Sequence, residues 1–586
     1  METLLYSIGT ADSVSVLGTL WRPFLISLVL YFSGYFVVWF AALARVAHLT
    51  PPFRGLSTDE ALDILVVIPT LLRAPSDLDD LRDAADTVLG NRYPGRVTLC
   101  LSIDGANDRP ALVDELEAWA NKRRGAMTIL VARVPQRAGK GVAVAAGLAR
   151  AERAVRDGEL ERLPPVFFNM DSDGVLGPRA LERMVAKLVR PGVLSRRRPM
   201  IVASNVLVRR EHYWAGWRKY FTMRYQLALQ VAREYMTSIS LARNNCGLLP
   251  GTGVSGALYA TWTELHEQLA RHASFMHSLR RRDLVRWWLG GGAPSFERFT
   301  GAPNVEATAG PGDDTWVAWV AMVAVWRDGR ICLELPRTPL HALGRLIRSF
   351  WIRNIAYDPL ARVYTATPTT VRALFKQRVR WNSSRTWLFR RFGRMPMFHW
   401  ELGTWVATSL ALVLFVHSVI LIGLFGWPFA DRPASWIAIL ALAYAFETVI
   451  RGASTVLAMI QDHDLRGHWH KLLALPLAGV FHFVFNILTT IVGFAKELLG
   501  FGVNTHFAPE ETLAKSNTSR PALAYRLVRC AKLAWRAIRH GDVPLGWFWL
   551  GWGATRWTAN GYAGWTNPKN KVGLGGVLRR TTRAAR

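Results

Sequence analysis

The chain has 586 residues, 51% hydrophobic and 20% charged, with a formal net charge of +29 at pH 7. Its mean hydropathy of +0.13 is too apolar for an ordinary cytosolic enzyme and too polar for a pure transporter, so one large soluble domain between membrane segments is expected. Cys100, Cys246, Cys332 and Cys530 form no C-x-x-C pair, which speaks against a zinc site or disulfide framework and for reduced thiols. The basic excess has no nucleic-acid recognition motif beside it, so anionic lipid and a positive-inside bias explain it and nucleic acid is not an expected partner.

The first apolar run, Pro23 to Val46, reaches the roughly 20 residues that span a bilayer. No basic stretch precedes it and no small-residue cleavage site ends it, so residues 1–58 read as a retained anchor. Arg45, Arg54 and the basic residues beyond them place the region after this anchor in the cytoplasm. From Asp63 the pattern alternates. Ile64–Pro69, Val97–Ile103, Met127–Val134 and Val166–Met170 read as buried strands, with helices at Asp77–Leu89, Ala111–Lys122 and Gly141–Arg156 between them. Strands alternating with helices predict a parallel α/β sheet whose ligands sit at the strands' carboxyl ends. Those ends hold Pro69-Thr70, Asp104-Gly-Ala-Asn-Asp108 and Asp171-Ser-Asp173.

After Leu176 the pattern reads as more helical. Tyr213 to Leu241 mixes aromatic and basic residues, Gly251 to Gly256 is a small-residue loop, and Leu265 to Trp288 is basic and amphipathic. Gly310-Pro-Gly-Asp-Asp-Thr315 opens a helix to about Trp326. The catalytic region is drawn at 59–340, and 341–398 reads as two interfacial amphipathic helices. The second of these is capped by Thr367, has Pro368 at its first position, and leads into Gln377-Arg-Val-Arg-Trp381. Residues 399–503 carry three candidate spans, Leu402–Phe425, Trp436–Ile460 and Leu472–Leu499, expected to form a polymer channel. Glu447 and Arg451 in the second are either an intrahelical pair or a pore lining. The tail, 504–586, is basic and rich in Trp, Gly and Arg. One span before the domain and three after would leave that tail outside, against the positive-inside rule; a run is then re-entrant or split, as Pro476 or Gly493 would allow, or a further span exists.

Three motifs carry chemistry. Asp171 and Asp173, with a turn residue between them, can share a hard divalent cation, Mg²⁺ or Mn²⁺, which in turn binds a diphosphate; a solvated turn is the plain alternative. Asp313 and Asp314 precede an apolar helix. Either one caps that helix, or one is the general base that takes a proton from an attacking hydroxyl. Gln377, Arg378, Arg380 and Trp381 offer cations to a leaving diphosphate and an aromatic face to a sugar; the alternative is a basic helix lying on lipid.

Order and spacing together decide between these readings. The chain resembles the processive family 2 glycosyltransferases, the membrane-embedded synthases of cellulose, hyaluronan, chitin-type oligosaccharides, curdlan and mannuronan. The resemblance covers roughly Asp63 to Trp387. It rests on Asp104, Lys140 in Ala-Gly-Lys-Gly-Val, Asp171-Ser-Asp173, Gly312-Asp-Asp314 and the Q-x-x-R-W pentad at 377–381, in family order. It implies a GT-A-like α/β domain inserted between transmembrane helices, with interfacial amphipathic helices, and a processive inverting transferase. Such an enzyme would polymerise units from a nucleotide sugar, a UDP-sugar in preference to a GDP-sugar with both open, into an extracellular polysaccharide and translocate it across the inner membrane. Asp104 would hold the nucleotide's base or ribose and Lys140 its base or phosphates, while Asp171 and Asp173 would place the metal, Asp173 directly. Asp314 would be the catalytic base. Gln377, Arg380 and Trp381 would close over the diphosphate and seat the acceptor, and the loop containing Gly251 and Gly253 would admit the acceptor's end. The implied partners are the donor, the growing polysaccharide, the bilayer and an accessory regulatory or export subunit. The implied location is a bacterial-type inner membrane, multi-pass, with the catalytic domain cytosolic. The chain departs from the hyaluronan and chitin-type pattern in carrying Thr315 rather than Arg after Gly-Asp-Asp, and no cyclic-di-GMP-binding barrel is recognised in the tail. A non-processive transferase acting on a lipid-linked acceptor would share Asp-x-Asp without needing the pentad, and a non-enzymatic membrane scaffold would need neither.

Overall fold

The computed structural model describes residues 53–123, 127–190, 198–237, 254–278, 313–333, 354–392, 433–462 and 469–498. The chain divides into two units, Met1–Gly493 and Phe494–Arg586, and the sheet and the candidate site belong to the first.

An eight-stranded sheet runs in the order β3-β2-β1-β4-β7-β6-β10-β5. Its first half is built as the apolar runs predict: β1 (Ile64–Thr70), β2 (Val97–Asp104), β3 (Thr128–Val134) and β4 (Val166–Met170), joined by α1 (Pro75–Leu89), α2 (Pro110–Arg123) and α3 (Lys140–Arg156). β1 pairs in parallel with both β2 and β4, and β2 with β3. Every residue of β1, β2 and β4 is buried, as strands covered on both faces by helices must be. Pro75 opens α1, and the carboxylate of Asp77 reaches back to accept from the backbone N–H groups of Arg73 (2.8 Å) and Ala74 (3.0 Å), so donors orphaned at the helix start find a partner.

Helix α3 lies close against the sheet at Gly147. A methyl placed there would sit 2.6 Å from Cγ1 of Val67, in a layer with no slack. Gly147→Ala is therefore expected to destabilise the fold by roughly 1–2 kcal/mol, overpacking exceeding the gain in helix propensity, read as a lowered midpoint of chemical unfolding.

The second half of the sheet differs from the expectation. The region past Leu176, read as helical, contributes three central strands besides its helices. These are β6 (Ile201–Val208), β7 (Leu258–Trp262) and β10 (Ile355–Thr365), beside the short β5 (Val175–Leu176). β7 runs antiparallel to β4 and to β6, and β10 is parallel to β6 and antiparallel to β5, so the sheet is mixed rather than parallel. β10 lies past residue 340, where the catalytic region was expected to end and the interfacial helices to begin. It breaks register between Asp358 and Arg362, where Pro359 cannot donate to the ladder. There Asp358 Oδ1 accepts from the N–H groups of Leu360 (2.8 Å) and Ala361 (3.0 Å). Helices α4 (Ala180–Val189), α5 (Met223–Tyr235), α6 (Thr263–Ser278) and α7 (Asp313–Val323) surround the sheet, and the hairpin β8 (Ala324–Arg327) and β9 (Arg330–Leu333) follows α7.

Beyond the sheet come α8 (Val371–Phe392) and α9 (Pro433–Gln461). Thr370 rather than Thr367 caps α8, its Oγ1 accepting from the N–H of Ala373 at 3.2 Å. α9 covers the segment of the second expected span as a helix, without qualifying as a span, and Arg451 in it is buried; the Glu447 side chain lies outside the described residues. The third expected span is broken: Trp469–His482 and Val484–Gly493 are bent by 53°, with Pro476 inside the first, a 3-10 segment at its start. Among the described residues no single helix is long and apolar enough to cross a membrane, and this bent pair passes that test only together. Pro23–Val46, residues 343–353, Leu402–Phe425 and the tail 504–586 lie outside the described residues. The end of α9 is tied to the sheet: Asn205 in β6 donates to Asp462 Oδ1 at 3.1 Å, and Arg362 in β10 donates to the Asp462 carbonyl at 3.0 Å.

Candidate active site

The carboxyl ends of β2 and β4 bring most of the singled-out residues to one edge. Asp104 closes β2 and is buried. Its two carboxylate oxygens accept from the backbone N–H groups of Ala138 (2.7 Å) and Gly139 (2.9 Å). Gly139 sits at φ +99°, which a side chain would resist, and this turn delivers Lys140 to the first position of α3. Burial holds the Asp104 carboxyl above the ordinary aspartate range, outweighing those two N–H donors.

From Lys140 a chain of contacts crosses the site. Its ammonium donates to Asp171 Oδ1 at 2.6 Å and to the Gly256 carbonyl at 3.3 Å. The N–H of Gly256 donates to Asp314 Oδ2 at 3.1 Å. The other oxygen of Asp314 accepts from the N–H of Thr315 at 2.8 Å, as a residue at the start of α7 does. Asp314 thus both satisfies its helix and faces the Lys140–Asp171 pair. A methyl on Gly256 would lie 3.0 Å from Lys140 Nζ and 3.6 Å from Asp314 Oδ2, so a side chain there would press on the Lys140 ammonium. Asp313 opens α7, and its side chain lies outside the described residues, as do Gly251, Gly253 and Gly312.

Asp173 is held differently. Its Oδ2 accepts from the hydroxyl of Thr365, at the end of β10, at 2.8 Å, and its carbonyl accepts from Arg209, just past β6, at 3.2 Å. Burial first, and the neighbouring Asp171 second, push the Asp173 carboxyl above its ordinary range. Neither Thr365 nor Arg209 was singled out from the sequence. The local signal was the alternation Ala361, Val363, Thr365, every second residue buried, which marks a strand ending at the site. Thr365→Val removes one donor to a carboxylate while keeping the shape. It is expected to raise the divalent-metal activation constant about 10-fold, the size of a hydrogen bond to a charged group, with Thr365→Ser restoring it in metal-titrated assays.

The pentad divides. On α8, Gln377, Arg380 and Trp381 are spaced i, i+3, i+4 and share a face. Arg380 is exposed, Trp381 is 36% exposed, and Gln377 Oε1 is buried with no hydrogen-bond partner. Arg378 departs from the expected role. It is buried and donates to Glu234 Oε2 at 2.6 Å, its guanidinium lying 4.5 Å from the ring of Trp381 and 5.9 Å from that of Tyr235. An arginine so engaged fixes α8 to the end of α5, and breaking such a pair leaves a charge buried and uncompensated.

The residues present fit a divalent cation. Asp171 and Asp173 are hard oxygen donors two residues apart, and Asp173 is a half-buried carboxylate whose charge is offset only through the Thr365 hydroxyl and the more distant Lys140 ammonium. Among the described residues there is no group of three or more His, Cys, Asp or Glu side chains, so a metal here would complete its shell with ligand oxygens and water, as Mg²⁺ does.

Residues 65–244 match the family model described as Glycosyl transferase family 2. No curated protein matches the sequence. Among solved structures, the mannosyltransferase PcManGT from Pyrobaculum calidifontis in complex with GDP-Man and Mn²⁺ is similar over 76% of this chain and 99% of its own, at 15% identity and a TM-score of 0.40. The crystal structure of GalNAc-T7 with UDP, GalNAc and Mn²⁺ is similar over 25% of this chain and 23% of its own, at 17% identity and a TM-score of 0.18. Likeness at these scores fixes neither fold nor activity. The family match spans β1 to α5, the elements that carry Asp104, Lys140, Asp171 and Asp173: the chain is a glycosyltransferase, with a family 2 glycosyl transferase domain at residues 65–244.

Proposed function

We propose that the chain is a processive, inverting polysaccharide synthase of the bacterial inner membrane. It takes sugar units from a nucleotide-sugar donor, UDP-linked in preference to GDP-linked, and exports the growing polymer through its own helices. The observation that carries this reading is the line of contacts Asp171–Lys140–Gly256–Asp314. It places a carboxylate able to act as base beside the groups suited to a sugar diphosphate. Asp104 and Lys140 would orient the nucleotide. Asp171 and Asp173 would hold Mg²⁺ or Mn²⁺, which when bound offsets charge on the leaving diphosphate. Asp314 would accept the proton of the acceptor hydroxyl, so that a single displacement inverts the anomeric centre without a covalent intermediate.

Polymerisation needs the acceptor's end held after each transfer. The face of Gln377, Arg380 and Trp381 supports this: the half-open indole of Trp381 offers a sugar a stacking surface beside the exposed Arg380. The membrane setting is supported by where large apolar side chains stay exposed. Among the described residues none of these lies before Trp217, whereas Val449 (66%), Val480 (55%), Leu477 (49%) and Leu488 (39%) crowd residues 433–498. Such a surface requires a partner, and lipid tails are the partner proposed.

The test is incubation of detergent-solubilised full-length protein with a panel of nucleotide sugars and Mn²⁺. Long polymer from one donor is expected. A product one sugar longer than the acceptor would assign the chain instead to transfer onto a lipid-linked acceptor.

A further inference from the structure

The aromatic-basic stretch within Tyr213 to Leu241 has no part in the sugar-transfer chemistry. Two short helical turns, Arg210–Tyr213 and Trp217–Tyr220, lead there into α5. Phe221 is 79% exposed, Met223 65% and Trp217 56%, the first of these the most exposed large apolar side chain among the described residues. They do not stand alone. Trp214 packs edge-on to Trp217 with ring centroids 5.2 Å apart, and lies 6.0 Å from Trp469, itself 44% exposed. Tyr220 packs at 5.0 Å from Phe221 and donates its hydroxyl to the carbonyl of Leu473 at 2.9 Å. The aromatic knot is thus continuous with the start of the bent helix pair, whose length and composition suit a broken span.

Charge selects the partner. Between residues 210 and 225 the chain carries Arg210, Arg218, Lys219 and Arg224 against the single acid Glu211. Rings with polar tips, surrounded by cations, match the interfacial layer of a bilayer, where Trp and Tyr sit at head-group level and Lys and Arg meet anionic phosphates. An acidic protein surface would pair the cations but leave Phe221 and Met223 without an apolar seat. We infer that residues 214–223 dock the catalytic domain onto anionic phospholipid head groups, with Trp217, Phe221 and Met223 entering the head-group layer; this rests on the proposed membrane setting.

The test is electron paramagnetic resonance with nitroxide labels on the full-length protein in nanodiscs containing phosphatidylglycerol. Single cysteines at Phe221→Cys, Val449→Cys and Asp157→Cys are compared in a chain whose accessible native cysteines are serine, with relaxation by oxygen set against relaxation by a water-soluble nickel chelate. The expected result is that the labels at 221 and 449 both favour oxygen, while the label at 157, on the exposed end of α3, favours the chelate. A label at 449 that favours oxygen with one at 221 as wet as that at 157 would overturn the docking surface and leave the membrane setting standing. Labels at 221 and 449 that both favour the chelate would overturn both.

Discussion

Replacing Asp314 by asparagine is expected to lower turnover by roughly 10²–10⁴-fold, the range over which a positioned general base contributes, with donor binding kept. The amide keeps the size of the carboxylate. Its oxygen can still accept from the N–H of Thr315 or of Gly256, the two bonds that seat Asp314 at 2.8 and 3.1 Å, so α7 keeps its start. What it loses is the capacity to take a proton. Isothermal titration with the nucleotide and metal separates the two effects: unchanged affinity with collapsed turnover marks a base, whereas unchanged turnover would return Asp314 to a helix cap and leave the displacement without a proton acceptor.

Asp173→Asn is expected to abolish metal-stimulated turnover at millimolar Mn²⁺, a loss as large as that at Asp314. The direction of the Asp173 shift also dictates a pH dependence. Its carboxyl keeps its proton to a higher pH than an ordinary aspartate, and a divalent ion competes with that proton. The metal activation constant should therefore begin to rise, as pH falls, earlier than for an exposed carboxylate, and excess Mn²⁺ should restore the rate. Without metal the linkage runs the opposite way for stability. In the window between the ordinary and the raised pKa the folded chain binds more protons than the unfolded one, so stability declines as pH rises through it. Metal titrations at stepped pH check the first effect, and chemical unfolding in the presence of a chelator checks the second. A metal activation constant indifferent to pH would argue that Asp173 does not touch the ion.

How far the sequence carried this picture varies along the chain for physical reasons. The first four strands were plain because each is a short, mostly apolar run, buried on both faces in β1, β2 and β4 and partly exposed in the edge strand β3, and only the strand edges shifted by a residue. β6 and β10 were not. β6 places Ser204 and Asn205 inside the sheet, where they are buried because Ser204 donates to the Leu258 carbonyl at 2.8 Å and Asn205 to the Pro359 carbonyl at 2.9 Å. Polar residues whose partners lie 54 and 154 positions away look like loop residues until the fold is known. β10 carries Asp358, Pro359 and Arg362, a composition that reads as turn or basic helix, and its strand character rests on tertiary pairing.

The candidate site shows the same division. Asp104, Lys140, Asp171, Asp173 and Asp314 stood out because chemistry needs those groups at strand and helix ends, and four of them lie within the family match. Gly256 lay in the small-residue loop the sequence marks, but its bonds to Lys140 and Asp314, like those of Thr365 and Arg209 to Asp173, join distant segments, and local spacing cannot reveal such partners. For Arg378 the spacing misled: in a run of alternating basic residues nothing local separates the arginine turned toward Glu234 from the exposed Arg380.

Processivity is the claim on which the proposed function turns, and product length against time measures it most directly. With acceptor in large excess over the full-length, detergent-solubilised enzyme, its donor and Mn²⁺, products are sized after a small fraction of acceptor has been consumed. Long polymers alongside untouched acceptor are the predicted result. A ladder in which all acceptors lengthen together by one or two units would contradict processive synthesis.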